Sequence, residues 1–87
     1  MGANISVIVP AHNEGPYISR CLNSLMDQEF PKENYEVIVV DNASTDNTKL
    51  HINEFNDVKY IYKENGPVGA VRNYGASHAS GEILAFI

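Results

Sequence analysis

The feature that most constrains this chain is a pair of short runs, Ile5 to Pro10 (ISVIVP) and Glu36 to Val40 (EVIVV), where β-branched apolar residues occupy consecutive positions. Strict alternation would mark a strand with one wet face; consecutive apolar residues in so short a run mark a strand covered on both faces, as in a parallel sheet. Between the runs, Ile18, Cys21, Leu22, Leu25 and Met26 recur at i, i+3, i+4, i+7 and i+8, which lines one side of a helix starting near Pro16. A strand, a helix and a second buried strand in succession form a crossover unit with parallel neighbours.

The rest of the chain repeats the alternation. A polar run, Asp41 to Thr48, offers helix caps in Ser44, Thr45 and Asp46 and leads to a helix with a thin apolar stripe through Leu50, Ile52 and Phe55. Val58 to Tyr62 (VKYIY) reads as a third strand. After the turn residues Asn65, Gly66 and Pro67, a helix is predicted from Val68 to Ser80, closed by Gly81 and buried along Val71, Gly75, Ala76 and Ala79. Glu82 to Ile87 (EILAFI) reads as a fourth strand. The β-α-β-α-β-α-β order places the chain in the α/β class, with a Rossmann-like, doubly wound parallel sheet. An apolar strand at the end of the sequence leaves a sheet edge without a neighbour, so residues 1–87 are expected to be an incomplete part of a larger domain.

Composition narrows the function. Hydrophobic residues make up 44% and charged residues 20% of 87 residues, as in a chain that folds. Six Lys and Arg stand against eleven Asp and Glu, a net charge of -5, which gives no general attraction to nucleic acid or an anionic membrane surface. A bound phosphate must be held locally. The start, Met1 to Asn4, has no basic segment followed by an apolar stretch, and no apolar run reaches the roughly 20 residues of a membrane span, so a cytoplasmic protein is expected. Cys21 sits among apolar neighbours and reads as a small core residue, with a reactive thiol as the alternative. His51 and His78 lack carboxylate or cysteine partners at ligand spacing and read as surface or packing residues.

In open α/β sheets, ligands gather beyond the carboxyl ends of the strands. Two unusual segments begin there: Pro10-Ala11-His12-Asn13-Glu14-Gly15 and Asp41-Asn42-Ala43-Ser44-Thr45-Asp46. Asn, Asp, Ser and Thr are also ordinary turn and cap residues, so neither segment decides the matter alone. A third segment, Val71-Arg72-Asn73-Tyr74-Gly75, changes the weighing. Together with Val9-Pro10-Ala11-His12-Asn13-Glu14 and Val40-Asp41-Asn42-Ala43-Ser44-Thr45-Asp46, it resembles the family 2 glycosyltransferases of the GT-A fold, whose motifs read Pro-x-Tyr-Asn-Glu, Val-Asp-Asp-x-Ser-x-Asp and Ala-Arg-Asn-x-Gly.

The resemblance implies the nucleotide-binding, amino-terminal part of an enzyme that transfers a sugar, with inversion, from a nucleoside diphosphate sugar to a sugar, lipid or polysaccharide acceptor. It implies that Pro10, Ala11, His12, Asn13, Glu14, Asp41, Asn42, Ser44 and Arg72 form the nucleotide site. His12 stands where the family commonly has Tyr and could stack on a base or bond a ribose. Asn42 stands where the family often has a second carboxylate. An amide both donates and accepts, matching the imide N–H and carbonyl of a pyrimidine, whereas guanine would prefer a carboxylate; a pyrimidine donor is expected. Arg72 is the expected partner of the diphosphate, with a surface ion pair as the alternative. The family's Asp-x-Asp metal signature, which holds Mn²⁺ or Mg²⁺, would follow Ile87, so a divalent metal is expected of the full-length enzyme and not of residues 1–87. No catalytic residue is assigned, and the chain alone is expected to be inactive and to bind uridine or thymidine diphosphate weakly.

Other readings fit less well. A nucleotidyltransferase would carry a Gly-rich, basic loop after the first strand, and Pro10 to Gly15 has no Lys or Arg. A receiver domain with Asp41 as phosphoacceptor would need an acidic cluster at the first strand's end, where Glu14 stands alone. A bare folding unit without activity is compatible with the transferase reading.

Overall fold

The computed structural model describes residues 4–27, 32–64 and 66–87. Four strands, β1 (Ile5–Ala11), β2 (Tyr35–Asn42), β3 (Val58–Lys63) and β4 (Ile83–Phe86), alternate with three helices, α1 (Gly15–Met26), α2 (Thr48–Ile52) and α3 (Val68–Ser77). A 3-10 turn, Lys32–Asn34, precedes β2. All strand pairs are parallel, in the order β3-β2-β1-β4. The α/β class and the alternating order expected from the sequence are both present. Of the residues expected to form the turn before α3, Asn65 lies outside those described, as do Met1, Gly2 and Ala3 at the start.

The consecutive apolar positions of β1 and β2 divide between two cores. Val7, Val9, Ala11, Val37 and Val39 face α1 and α2, where Ile18, Leu22 and Ile52 are buried against them. Ile8, Ile38 and Val40 face the other side, where Val71 of α3 packs. Two helices therefore cover one face and α3 the other. A constant hand of crossover requires this arrangement, because the chain steps one way from β1 to β3 and then returns past β2 and β1 to β4. Gly75 lets α3 lie close to the sheet: a Cβ there would sit 2.5 Å from Ile8 Cγ2 and 2.8 Å from Val40 Cγ2.

Several boundaries differ from the sequence expectation. β2 extends through Asp41 and Asn42, which pair with Tyr62 and Lys63 of β3, so these two polar residues end a strand and do not open a loop. α2 stops at Ile52, and Leu50 is 70% exposed. Two residues apart on a helix is about 200° of rotation, so Leu50 cannot share the buried side of Ile52. Phe55 follows the helix yet still packs on the first core. α3 ends at Ser77 and not at Ser80, with His78 as its cap.

The early end of α3 has a specific cause. Ser80 donates its N–H (2.7 Å) and hydroxyl (2.9 Å) to the Glu36 carboxylate, which also accepts the buried Ser6 hydroxyl at 2.5 Å. The chain leaves the helix to reach this acceptor. Gly81 then passes against β1, where a Cβ would lie 2.7 Å from Ser6 N. Gly81 is thus required by close approach to the strand and does not cap the helix.

Candidate functional site

At the carboxyl ends of β1 and β2, beside the first turn of α3, lies a cavity of about 230 Å³ lined by Pro10, Ala11, His12, Glu14, Asn42, Val68, Val71, Arg72 and Ile87. Six of these were singled out in the sequence: Pro10, Ala11, His12, Glu14, Asn42 and Arg72. A larger depression of about 410 Å³ flanks Asn23, Ser24, Met26 and Asp27 at the far end of α1. Among the described residues that line the two, a cation, Arg72, stands only at the first.

His12 and Asn42 meet at this cavity. The His12 Nδ1 lies 2.5 Å from the Asn42 main-chain oxygen. A carbonyl can only accept, so Nδ1 carries the proton and Nε2 is left as an acceptor, facing the Asn13 side-chain amide at 3.4 Å. The Asn42 side chain points elsewhere. Its Nδ2 donates to the Gly66 carbonyl at 3.0 Å, and its Oδ1 accepts the Gly66 N–H at 3.1 Å. Both functions of the amide are therefore engaged by one backbone unit, and the expectation that this amide reads a pyrimidine edge loses its geometric support.

Asn13, Asp41 and Ser44 do not line the cavity; they hold its walls together. Asn13 has φ 49° and Ala43 has φ 54°, left-handed values that few non-glycine residues adopt and that recur near functional sites. In this conformation the Asn13 Oδ1 accepts N–H groups of Thr45 (2.7 Å) and Asp46 (3.3 Å), while its own N–H donates to the Ser44 hydroxyl at 2.9 Å. Asp41 is buried, 2% exposed; Oδ1 accepts the Ser44 N–H at 3.0 Å and Oδ2 the Tyr60 hydroxyl at 2.6 Å. Burial, then this hydrogen bond and the charge of Asp41, push the Tyr60 hydroxyl well above the ordinary tyrosine range, so it remains a donor. A buried carboxylate so engaged is no phosphoacceptor, which removes the receiver-domain alternative.

Two residues that matter here were not named as site residues from the sequence. Thr48 is fully buried; its hydroxyl accepts the N–H groups of Glu14 (2.9 Å) and Gly15 (3.0 Å) and donates to the Asp46 carboxylate. The hydroxyl bond, with a second from the Thr48 N–H at 3.0 Å, holds the exposed Asp46 carboxyl below its ordinary value. Tyr60 is the other. The sequence marks it as part of the third strand but does not show that its hydroxyl would end against Asp41.

Arg72 projects from α3 with its guanidinium carbon 5.9 Å from the centre of the Phe86 ring. Arg72 is exposed beside the cavity, where its guanidinium is open to an anion. No side chain caps the start of α3, whose first turn faces the cavity. The Glu14 carboxylate accepts the His12 N–H at 3.2 Å and stiffens the loop after β1.

Among the described residues no group of three His, Cys, Asp or Glu is placed to hold a metal ion. His51 bonds Ser19 at 2.9 Å and His78 bonds the Tyr74 carbonyl at 2.9 Å, consistent with packing roles. Burial, followed by the Glu14 charge, pushes the Cys21 thiol up, which disfavours the reactive thiolate. No described helix is long and apolar enough to cross a membrane.

Comparison with known proteins gives the family and the fold. The profile of "Glycosyl transferase family 2" matches residues 6–87. The chain is 44% identical to the glycosyltransferase AglE of Haloferax volcanii over 95% of its own length and 29% of that protein. It superposes on the crystal structure of Staphylococcus aureus TarS 1-349 in complex with UDP with a TM-score of 0.90 and 38% identity, covering 97% of this chain and 26% of that one. A third likeness is the mannosyltransferase PcManGT from Pyrobaculum calidifontis in complex with GDP-Man and Mn2+, with a TM-score of 0.78, 34% identity and the same coverage. The chain thus spans less than a third of each of these proteins.

Proposed function

The chain belongs to glycosyl transferase family 2, and from that premise we propose that its cavity binds the nucleotide of a nucleoside diphosphate sugar, as the donor-binding part of a sugar transferase. The observation that carries this reading is the convergence of Pro10, Ala11, His12 and Glu14 from the loop after β1, Asn42 from β2 and Arg72 from α3 on one cavity. A nucleoside needs a slot with apolar and polar walls, and a diphosphate needs a local cation in a chain of net charge -5. The apolar walls are Pro10, Val68 and Val71; Arg72 and the first turn of α3 are the donors for the diphosphate.

Uridine diphosphate is the nucleotide proposed, because the solved relative crystallised with UDP has the higher identity, 38% against 34% for the one crystallised with GDP-Man. This argument replaces the one from the Asn42 amide. Transfer to an acceptor hydroxyl, with an inverting course, is proposed for the whole protein on family membership. A divalent metal is proposed for the whole enzyme on the same ground and on the Mn2+ of the mannosyltransferase relative; the described residues offer it no ligand cluster, so no step here passes through it.

Calorimetric titration of the protein with UDP tests the proposal. Saturable one-to-one binding, weakened about tenfold or more by Arg72→Ala, is expected, since a hydrogen bond to a charged group contributes about 1.5–3 kcal/mol. Equal affinity in both proteins, or no binding, contradicts it.

A further inference from the structure

Asn42 joins all three segments that wall the cavity. Its main-chain oxygen accepts the His12 ring from the loop after β1. Its side-chain amide makes a two-bond pair with the N–H and carbonyl of Gly66, in the connection from β3 to α3. Its own backbone closes the β2–β3 ladder opposite Lys63. Gly66 stands two residues before Val68, the first residue of α3, and Val68, Val71 and Arg72 of that helix line the cavity. The height of this connection therefore sets where Arg72 and the first turn of α3 stand relative to His12.

We propose that Asn42 is a positioning residue: by pairing with both backbone groups of Gly66 it fixes the start of α3 across the cavity, and it does not read the base. The chemistry demands an amide. A carboxylate at this position can accept the Gly66 N–H, but it has no hydrogen to give the Gly66 carbonyl and sets two oxygens against each other. An apolar side chain offers neither bond. Direct base reading by the same amide would first have to break both bonds to Gly66, so Asn42 contributes equally to the binding of uridine, cytidine and guanosine diphosphates. This inference rests on the nucleotide-binding reading above and adds to it a residue role that the resemblance does not supply.

The experiment combines two measurements on wild type, Asn42→Asp and Asn42→Leu. Amide hydrogen exchange without ligand reads the contact itself: the Gly66 N–H is expected to be protected in wild type and Asn42→Asp, and to exchange at least about tenfold faster in Asn42→Leu. A general loss of structure would speed exchange across β1 and β2 as well, and those amides serve as the control. Calorimetry with UDP, CDP and GDP then reads the consequence: each affinity falls by a similar factor, about three- to tenfold, with the larger loss in Asn42→Leu and the ratios among the three nucleotides unchanged within about twofold. A Gly66 N–H that exchanges equally fast in wild type and Asn42→Leu overturns the positioning role, whatever the nucleotides do. A UDP-to-GDP ratio that shifts several-fold in Asn42→Leu overturns it in favour of direct base reading. If no nucleotide binds the wild type, the functional proposal fails while the exchange result still decides the Asn42 contact.

Discussion

The His12 imidazole and the Asn42 carbonyl, 30 residues apart in sequence, meet at 2.5 Å through Nδ1. This contact brings the loop after β1 to the end of β2, and it fixes the tautomer that leaves Nε2 facing Asn13. The two polar segments following buried parallel strands thus share one wall of one cavity.

His12→Phe keeps a ring at this position and removes both hydrogen bonds. We expect UDP affinity to fall about three- to tenfold, the equivalent of one ordinary hydrogen bond of about 0.5–1.5 kcal/mol. His12 is exposed, so stability in chemical denaturation should change by less than about 1 kcal/mol. Calorimetry and denaturation on the same preparation separate the two effects.

Tyr60→Phe deletes a hydroxyl whose only described acceptor is the buried Asp41 carboxylate. Leaving a buried, charged acceptor short of a donor costs about 1–3 kcal/mol. Urea denaturation should show a loss in that range. A change within about 0.3 kcal/mol would mean that Asp41 does not depend on this bond.

Two glycines of α3 should respond in opposite directions. Gly75→Ala forces a Cβ into Ile8 and Val40 and should destabilise by about 1–3 kcal/mol, as overpacking does. At Gly69 a Cβ meets nothing within 4 Å, so Gly69→Ala should stabilise by about 0.4–1 kcal/mol through a less flexible unfolded chain. Thermal denaturation of the pair checks the close approach of α3 to the sheet.

Glu36 predicts a pH dependence. Desolvation pushes its carboxyl up, but the hydrogen bonds from Ser6 and Ser80, with the charge of Lys59, outweigh it and hold it below its ordinary value of 4.5. A carboxyl lowered in the folded state stabilises the fold above its unfolded value and loses that contribution as pH falls through the folded one. Wild type should therefore exceed Glu36→Gln in stability at pH 7, and the gap should close progressively below about pH 4.5. A gap that is constant from pH 7 to pH 3 contradicts the assignment.

The strands and their order were legible because a double-sided burial pattern is written in consecutive residues: Ile8 and Val9 alone already point to opposite cores. Helix ends were less so. Ser77 ends α3 because Ser80 bonds Glu36, 44 positions away, and no local pattern encodes such a partner. The motif segments located the cavity but did not divide the labour within it. Asn13, Asp41 and Ser44 look as polar as His12 and Glu14 in sequence, yet their side chains accept backbone N–H groups of Thr45, Ser44 and Asn13 respectively and leave the lining to their neighbours. Asn42 was legible as a departure from the family pattern, while its partner Gly66 emerged only from the fold.

The central claim, that the cavity bounded by His12, Asn42 and Arg72 holds a nucleoside diphosphate, is tested most directly by titrating the isotope-labelled protein with UDP and following its backbone amides. Saturable shifts concentrated in Ala11 to Glu14, at Asn42 and Ala43, and in Val68 to Arg72 are the result this account predicts. Shifts gathered instead around Asn23 to Asp27 at the end of α1, or none up to millimolar UDP, would contradict it.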